Sequence, residues 1–313
     1  MVRNSIRTRT TFIGSVGNRL GADVFGDSGP VILLLHGGGQ TRHAWRSTAE
    51  KLAGEGYTTY VLDQRGHGNS EWVADGAYNF SDFAADAKRV AAELTRRCGV
   101  KPIVVGASLG GIAALLAEGG SERDNGTHIF SALVLVDITP RVDMTGVSKI
   151  LSFMRAHAKE GFASIADAAQ AVAEYLPHRP RPKSNEGLKK NLRRAPDGRW
   201  RWHWDPRFLE GPRAVGANRL QFEAVLQEAA RRIEIPALLI RGASSELVRE
   251  AHVQEFLKLV PHAEYVDVTD ARHMVAGDRN DCFSAAVLSF VGRLSAANAR
   301  SSARKRPSRS RPT

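Results

Sequence analysis

Four short stretches of uninterrupted apolar residues punctuate the chain: Val31-Ile32-Leu33-Leu34-Leu35, Ile103-Val104-Val105, Ala132-Leu133-Val134-Leu135-Val136 and Ala237-Leu238-Leu239-Ile240. Short apolar runs without polar alternation are what strands buried on both faces of a parallel sheet require. Thr58 to Leu62 and Ala263 to Val268 are two further β-rich runs, and Thr11 to Val16 with Leu20 to Phe25, parted by Gly17-Asn18, predict an opening hairpin. Ahead of them, residues 1–11 form a basic, polar arm. Between the runs the period changes. Phe83, Ala87, Val90, Ala91 and Leu94 recur at spacings of three and four, so they share one face of a helix; further helices are predicted over Trp45–Gly54, Arg249–Leu259 and Phe283–Leu294. Strands alternating with helices predict an α/β fold with a doubly wound, mostly parallel sheet, whose sites lie at the carboxyl ends of its strands.

The alternation stops between Thr139 and Arg232. Only helical patterns appear there, such as Val147, Ile150, Leu151 and Met154, then Ile165, Ala168, Ala169 and Val172. They are followed by the Pro- and Arg-rich stretch His178–Lys183 and the aromatic cluster Trp200-Arg201-Trp202-His203-Trp204. A segment this long is not a structureless loop. It is expected to be a helical subdomain over the sheet, dividing the chain into arm 1–11, core 12–138 and 233–294, cap 139–232 and tail 295–313.

Chemistry concentrates where strands end. Gly106-Ala107-Ser108-Leu109-Gly110 follows one apolar run and opens a helix, so it reads as strand, sharp turn, helix, with a serine at the tip. Glycines on both sides suit a strained turn whose neighbours leave no room for side chains. Ser108 is the candidate nucleophile. Its base should be a histidine at the same sheet edge. His273, just past the last strand, fits; His36 and His67 sit in glycine turns where an imidazole braces the loop. A carboxylate must orient that histidine. Glu246, after the strand Ala237–Ile240, is the first candidate, and Asp137, closing the strand Ala132–Val136, is the alternative. Asp63 and Asp270 read as loop braces. For an oxyanion hole, the Leu109 amide comes with the helix N-terminus, and Gly38 in His36-Gly37-Gly38-Gly39 is the second donor, with Gly37 and Gly39 also open.

As a set, His36-Gly37-Gly38-Gly39, Asp63-Gln64-Arg65-Gly66-His67-Gly68, Gly106-Ala107-Ser108-Leu109-Gly110-Gly111, Arg241-Gly242 and His273 resemble the α/β-hydrolase superfamily, in its cap-bearing branch of esterases, lactonases, cofactor-free haloperoxidases and epoxide hydrolases. The resemblance covers Arg19 to Leu294. It implies an eight-stranded sheet with an antiparallel second strand, helices on both faces, a cap between the sixth and seventh strands, and acylation then deacylation at Ser108 without a cofactor or metal. The acid position after the seventh strand, usually aspartate in such proteins, is here Glu246, which keeps Asp137 in contention. An epoxide hydrolase would be expected to carry an aspartate nucleophile and cap tyrosines. The nucleophile position here is serine, and the cap has one tyrosine, Tyr175. The expected activity is therefore hydrolysis of a carboxylic ester or lactone. Trp202 and Trp204, with Trp45 and Met274, are candidate walls for an apolar acyl or aryl group, or equally part of the cap core.

Composition trims the alternatives. The net charge of +11 suggests nucleic acid, but six of those charges (Arg300, Arg304, Lys305, Arg306, Arg309 and Arg311) sit in the acid-free tail, read as a solvated, disordered appendage rather than a nucleic-acid-binding element. Cys98 and Cys282 have no metal-like spacing and are expected as free thiols. No apolar run is long enough to span a bilayer, and the N-terminus lacks an apolar signal region, so a cytoplasmic protein is expected. The competing function class is a ligand-binding protein or receptor on the same scaffold with little turnover.

Overall fold

The computed structural model describes residues 7–120, 127–215 and 219–304. In chain order the elements are β1 (Arg7–Ile13), β2 (Arg19–Phe25), β3 (Val31–Leu35), α1 (Arg46–Gly54), β4 (Thr58–Leu62), α2 (Phe80–Cys98), β5 (Ile103–Ala107), α3 (Leu109–Gly119) and β6 (Ala132–Val136). Then come α4 (Met144–Ala156), α5 (Ile165–Tyr175), β7 (Leu192–Arg194), β8 (Trp200–Trp202), α6 (Arg219–Arg231), β9 (Ala237–Gly242), α7 (Glu250–Leu259), β10 (Glu264–Val268), α8 (Val275–Asp278) and α9 (Asn280–Arg304). Eight strands form one sheet in the order β1-β2-β4-β3-β5-β6-β9-β10. β2 runs antiparallel to both of its neighbours and the rest pair parallel, as the resemblance implies.

The apolar runs fill the middle of this sheet because each side chain there has a core to enter. Leu33, Leu35, Val104, Leu133, Leu135 and Leu239 point into one core, with the apolar faces of α2 and α3. Ile32, Leu34, Val105, Val134, Val136 and Ile240 point into the other, against Ala49 and Leu52 of α1 and Phe283, Val287 and Phe290 of α9. Alternation within an unbroken run thus feeds two faces. α2 starts on a capping box between Asn79 and Asp82 and stops at Gly99, whose φ of 71° suits only glycine comfortably. Between β4 and α2, the fully buried Arg65 donates to both oxygens of Asp86 at 2.7 and 2.6 Å, and to the Ala77 carbonyl and the Ser15 hydroxyl. These bonds fasten the loop after β4 to the helix behind it.

Four expectations change. The arm is shorter than expected: β1 begins at Arg7, because the β-branched Thr8, Thr10 and Thr11 favour extended backbone and Arg7 bonds Asp23 on β2. Residues 1–6 of the arm lie outside the described residues. The cap segment is not all helix. Leu192–Arg194 and Trp200–Trp202 pair antiparallel about a turn closed by Gly198 at φ 81°, with Asp197 accepting from the Arg199 amide. The Trp-x-Trp alternation next to Pro196-Asp197-Gly198 is the sequence signal for that hairpin. Third, α6 lies with the core layers. Leu226, Ala229 and Ala230 are buried, and a Cβ on Gly119 of α3 would come 2.0 Å from the Ala229 carbonyl oxygen. Finally, α9 runs past Leu294 to Arg304, through the alanine-rich start of the expected tail, where helix propensity is high; residues 305–313 lie outside the described residues. Among the described residues no helix is long and apolar enough to cross a membrane.

The α3–α6 contact is testable. Gly119→Ala should lower stability by about 1–3 kcal/mol, the usual cost of forcing a methyl into a filled contact. Urea unfolding would read this as a lower midpoint; an unchanged midpoint would mean that α6 does not rest on α3.

Candidate active site

Ser108 occupies the turn between β5 and α3 with φ 47° and ψ −112°, backbone that a residue with a side chain adopts only under constraint. Crowding imposes it. A Cβ on Gly106 would lie 2.4 Å from the Gly110 carbonyl oxygen, and one on Gly110 would lie 2.4 Å from that of Leu35. The flanking glycines therefore let β5, α3 and β3 touch, and the serine is pushed out at the tip. Leu109 is the first residue of α3, so its N–H has no carbonyl one turn back and points with the positive end of the helix toward the serine.

Opposite stands the glycine turn after β3. Gly37 N–H donates to the Gln40 side chain at 3.0 Å and Gly39 N–H to His67 Nε2 at 3.1 Å. Gly38 N–H meets no acceptor among the described residues, and so of the three glycines left open by sequence it is the one with a donor to spare. The two other strand-end histidines are consumed in bracing. His36 accepts from Gln64 N–H and bonds the Gly37 carbonyl, while His67 bonds the Arg65 carbonyl. Burial lowers the pKa of both, that of His67 to about 3, so both stay neutral. Asp63 accepts from the Arg42 and Asn69 amides and pairs with the Arg42 guanidinium, which holds the same loops together. Asp270 is exposed and bonds Arg279.

His273 follows β10, and its Nδ1 lies 2.8 Å from Oδ2 of Asp137. Asp137 is completely buried, at φ 50°, and its carboxylate also accepts from Gly242 N–H at 3.0 Å and from the Ser245 hydroxyl at 2.6 Å. Glu246, the acid expected first, makes no hydrogen bond to His273, and its buried Oε2 has no partner among the described residues. The reason is local. β6 and β9 are neighbours, with Val136 opposite Ile240, so the two candidate acids sit at adjacent strand ends. The turn after β9 brings Ser245, not Glu246, against the imidazole's partner, while Ser245 Oγ accepts from the Leu247 and Val248 amides. Glu246 acts instead on Tyr175, whose pKa burial and the nearby Glu246 charge push up to about 12.

A family model described as "Serine aminopeptidase, S33" matches residues 26–280. The chain belongs to this family of α/β-hydrolases. The hydrolase is 28% identical over 262 residues to an esterase of Mycobacterium tuberculosis, covering 82% of this chain and 80% of the relative. It is 26% identical over 254 residues to a 3-hydroxybutyrate-oligomer hydrolase of Cupriavidus necator, covering 78% and 82%. The crystal structure of E-2-(acetamidomethylene)succinate hydrolase superposes with a TM-score of 0.77 at 22% identity, over 92% of this chain and all of that one.

In the hydrolase, Ser108 and His273 open onto one cavity of about 450 Å³, between the strand ends and the cap. Trp45, Trp202, Trp204 and Met274 all line it, as do Val147, Ile150, Leu151 and Met154, the helical face legible in the sequence. Gly38 is there too, packed against Phe208. His273 is hydrogen-bonded to Asp137 and not to the Ser108 hydroxyl, a contact that such sites commonly tighten only with substrate bound. Ser245, Gln40 and Phe208 are the site residues that sequence reasoning passed over. Ser245 had a usable signal, since it stands one residue before the expected acid.

Substitutions can rank the two acids. Asp137→Asn should lower kcat by about 10³–10⁴-fold, because the imidazole loses its fixed tautomer, whereas Glu246→Gln should leave it within about three-fold. Ser245→Ala should fall between them, near ten-fold for one lost hydrogen bond. The reverse ranking in steady-state turnover would move the acid to Glu246.

Buried neutral His67 also makes stability depend on pH. Its folded pKa lies below its unfolded one, so the unfolded chain binds the extra proton and stability, complete above pH of about 6.5, declines as pH falls toward about 3. Urea midpoints between pH 7 and 4 should show a shallower decline in His67→Gln than in the wild type.

Proposed function

We propose that the hydrolase cleaves carboxylic ester or lactone bonds of a small to medium apolar substrate through an acyl-enzyme at Ser108. The observation that carries this reading is a strained serine sharing a cavity with an imidazole whose Nδ1 is held by a buried aspartate. With Nδ1–H bound to Asp137, the imidazole presents a basic Nε2 to the cavity. Ser108 Oγ attacks the carbonyl carbon as Nε2 takes its proton, and the tetrahedral oxyanion is received by the N–H groups of Gly38 and Leu109. Collapse expels the alkoxide, which takes the proton back from His273. Water, deprotonated by the same Nε2, then attacks the acyl carbon and frees the acid and Ser108.

The family's description names a peptidase, but an aminopeptidase must recognise a free ammonium group. Among the described residues no carboxylate lines this cavity, and Arg179, the cation at its wall, is already paired with Asp278, so nothing there is placed to bind an ammonium. The apolar walls favour an alkyl or aryl acyl group, and the esterase and hydroxybutyrate-oligomer hydrolase relatives point the same way. A panel of p-nitrophenyl esters, lactones and amino-acid anilides, run on wild type and Ser108→Ala, tests the proposal. Turnover of short and medium esters or lactones, lost by at least about 10³-fold in the variant, is expected. Turnover of the anilides alone would favour the peptidase, and binding without turnover a receptor.

A further inference from the structure

His273 sits on the segment between β10 and α8, and a general base on a loop is useful only if the loop is held. Both of its backbone neighbours are tied, and the two ties meet. Arg272 N–H, immediately before it, donates to Asp278 Oδ2 at 2.9 Å. The Met274 carbonyl, immediately after it, accepts from Arg179 Nη2 at 3.3 Å. Arg179 Nε in turn donates to the other oxygen of Asp278 at 2.6 Å. The circuit runs Arg272, Asp278, Arg179, Met274, with His273 inside it. The Asp278 side chain is 5% exposed, so the ion pair is shielded from water on the carboxylate side, and His178 Nε2 stands 3.7 Å from Oδ1, the oxygen that Arg179 Nε bonds. Gly277 makes room for it: a Cβ there would lie 2.7 Å from Arg179 Nη2.

Arg179 belongs to the cap. It follows α5 within His178-Arg179-Pro180-Arg181-Pro182, the Pro- and Arg-rich motif that the fold leaves otherwise unexplained, and its amide bonds the Leu176 carbonyl. Pro180 and Pro182 fix their own φ and restrict the residues before them, so Arg179 is presented by stiff backbone. It also lines the cavity beside Met274.

We propose that Arg179 and Asp278 form a latch through which the cap positions the His273 loop, so that the base is aligned only when the cap is seated. This rests on His273 acting as the base of the proposed reaction. Both are positioning residues. An open cap would break the Arg179–Asp278 pair and the Arg179 bond to the Met274 carbonyl, leaving the His273 loop only its ties to Asp137 and to α8, where Asp278 holds the Arg272 amide and the Gly277 and Asp278 amides hold the Met274 carbonyl, so substrate entry and alignment of the base become linked steps.

The test is a double-mutant cycle on the full chain with a short p-nitrophenyl ester that wild type turns over and Ser108→Ala does not. Arg179→Ala and Asp278→Ala should each lower kcat by about 10- to 100-fold, the cost of a small displacement of a reacting group. KM should change by less than about three-fold for an ester too short to reach the latch. The double variant should be no slower than the worse single one, since both remove one device. Arg179→Lys, which keeps the charge but not the fork between Asp278 and Met274, should be intermediate. Guanidinium ion at millimolar concentration should restore part of kcat to Arg179→Ala and none to Asp278→Ala. Unchanged kcat in Arg179→Ala and Asp278→Ala, or multiplicative losses in the double variant with no guanidinium rescue, would overturn the latch while leaving the Ser108 reaction intact. Loss of wild-type turnover's dependence on Ser108 would instead strike the reaction itself.

Discussion

The site is built round a carboxylate with no access to water. An ion in that position must have its lone pairs taken up by donors or it would cost several kcal/mol. Asp137 draws its three donors from separate parts of the chain: Gly242 N–H at the end of β9, the Ser245 hydroxyl in the turn after it, and His273 Nδ1 beyond β10. Satisfying one buried charge thus brings three consecutive strand ends of the sheet order β6-β9-β10 into register. Its own backbone carries strain, at φ 50°, as Ser108 does at φ 47°. Both are tolerated because the sheet on one side and helices on the other leave the chain no alternative path.

How far this was legible in the sequence follows from the kind of constraint at each position. The strands β3, β5, β6 and β9 declare themselves because burial on both faces demands an unbroken apolar run. Ser108 declares itself because its glycine neighbours are required by contacts of 2.4 Å that any Cβ would violate. The acid is of another kind. Asp137 and Glu246 stand at the ends of paired strands, and choosing between them needs the path of a four-residue turn, which sequence patterning does not encode. The first half of β1, Arg7–Thr10, and the cap hairpin were missed for a related reason, since short, charged strands stabilised by a partner elsewhere in the chain carry little local signal.

The cap divides by what its residues touch. The apolar face of α4 and the tryptophans of β8 and its flank enclose the cavity, whereas α6 rests on α3. The enclosing part is anchored to the loops around the site at more than one point: the Gly68 amide donates to the His203 carbonyl, Asp205 N–H donates to the Gly66 carbonyl, and Tyr78 donates to the Asp205 carboxylate. Arg179 adds an anchor beside His273. Under the proposed reaction, a cover tied to the loops that carry the histidines would exclude water from the reacting carbonyl and, by the same contacts, stiffen the groups that act on it.

The central claim is that Ser108 is a nucleophile made reactive by His273 and Asp137. It is tested most directly by intact-protein mass spectrometry after brief exposure to a fluorophosphonate, with the modified residue located by peptide mapping. The account predicts a single adduct on Ser108, formed fast in wild type and at least about 100-fold more slowly in Asp137→Asn and His273→Ala. An adduct on another residue, or equal rates in all three proteins, would contradict it.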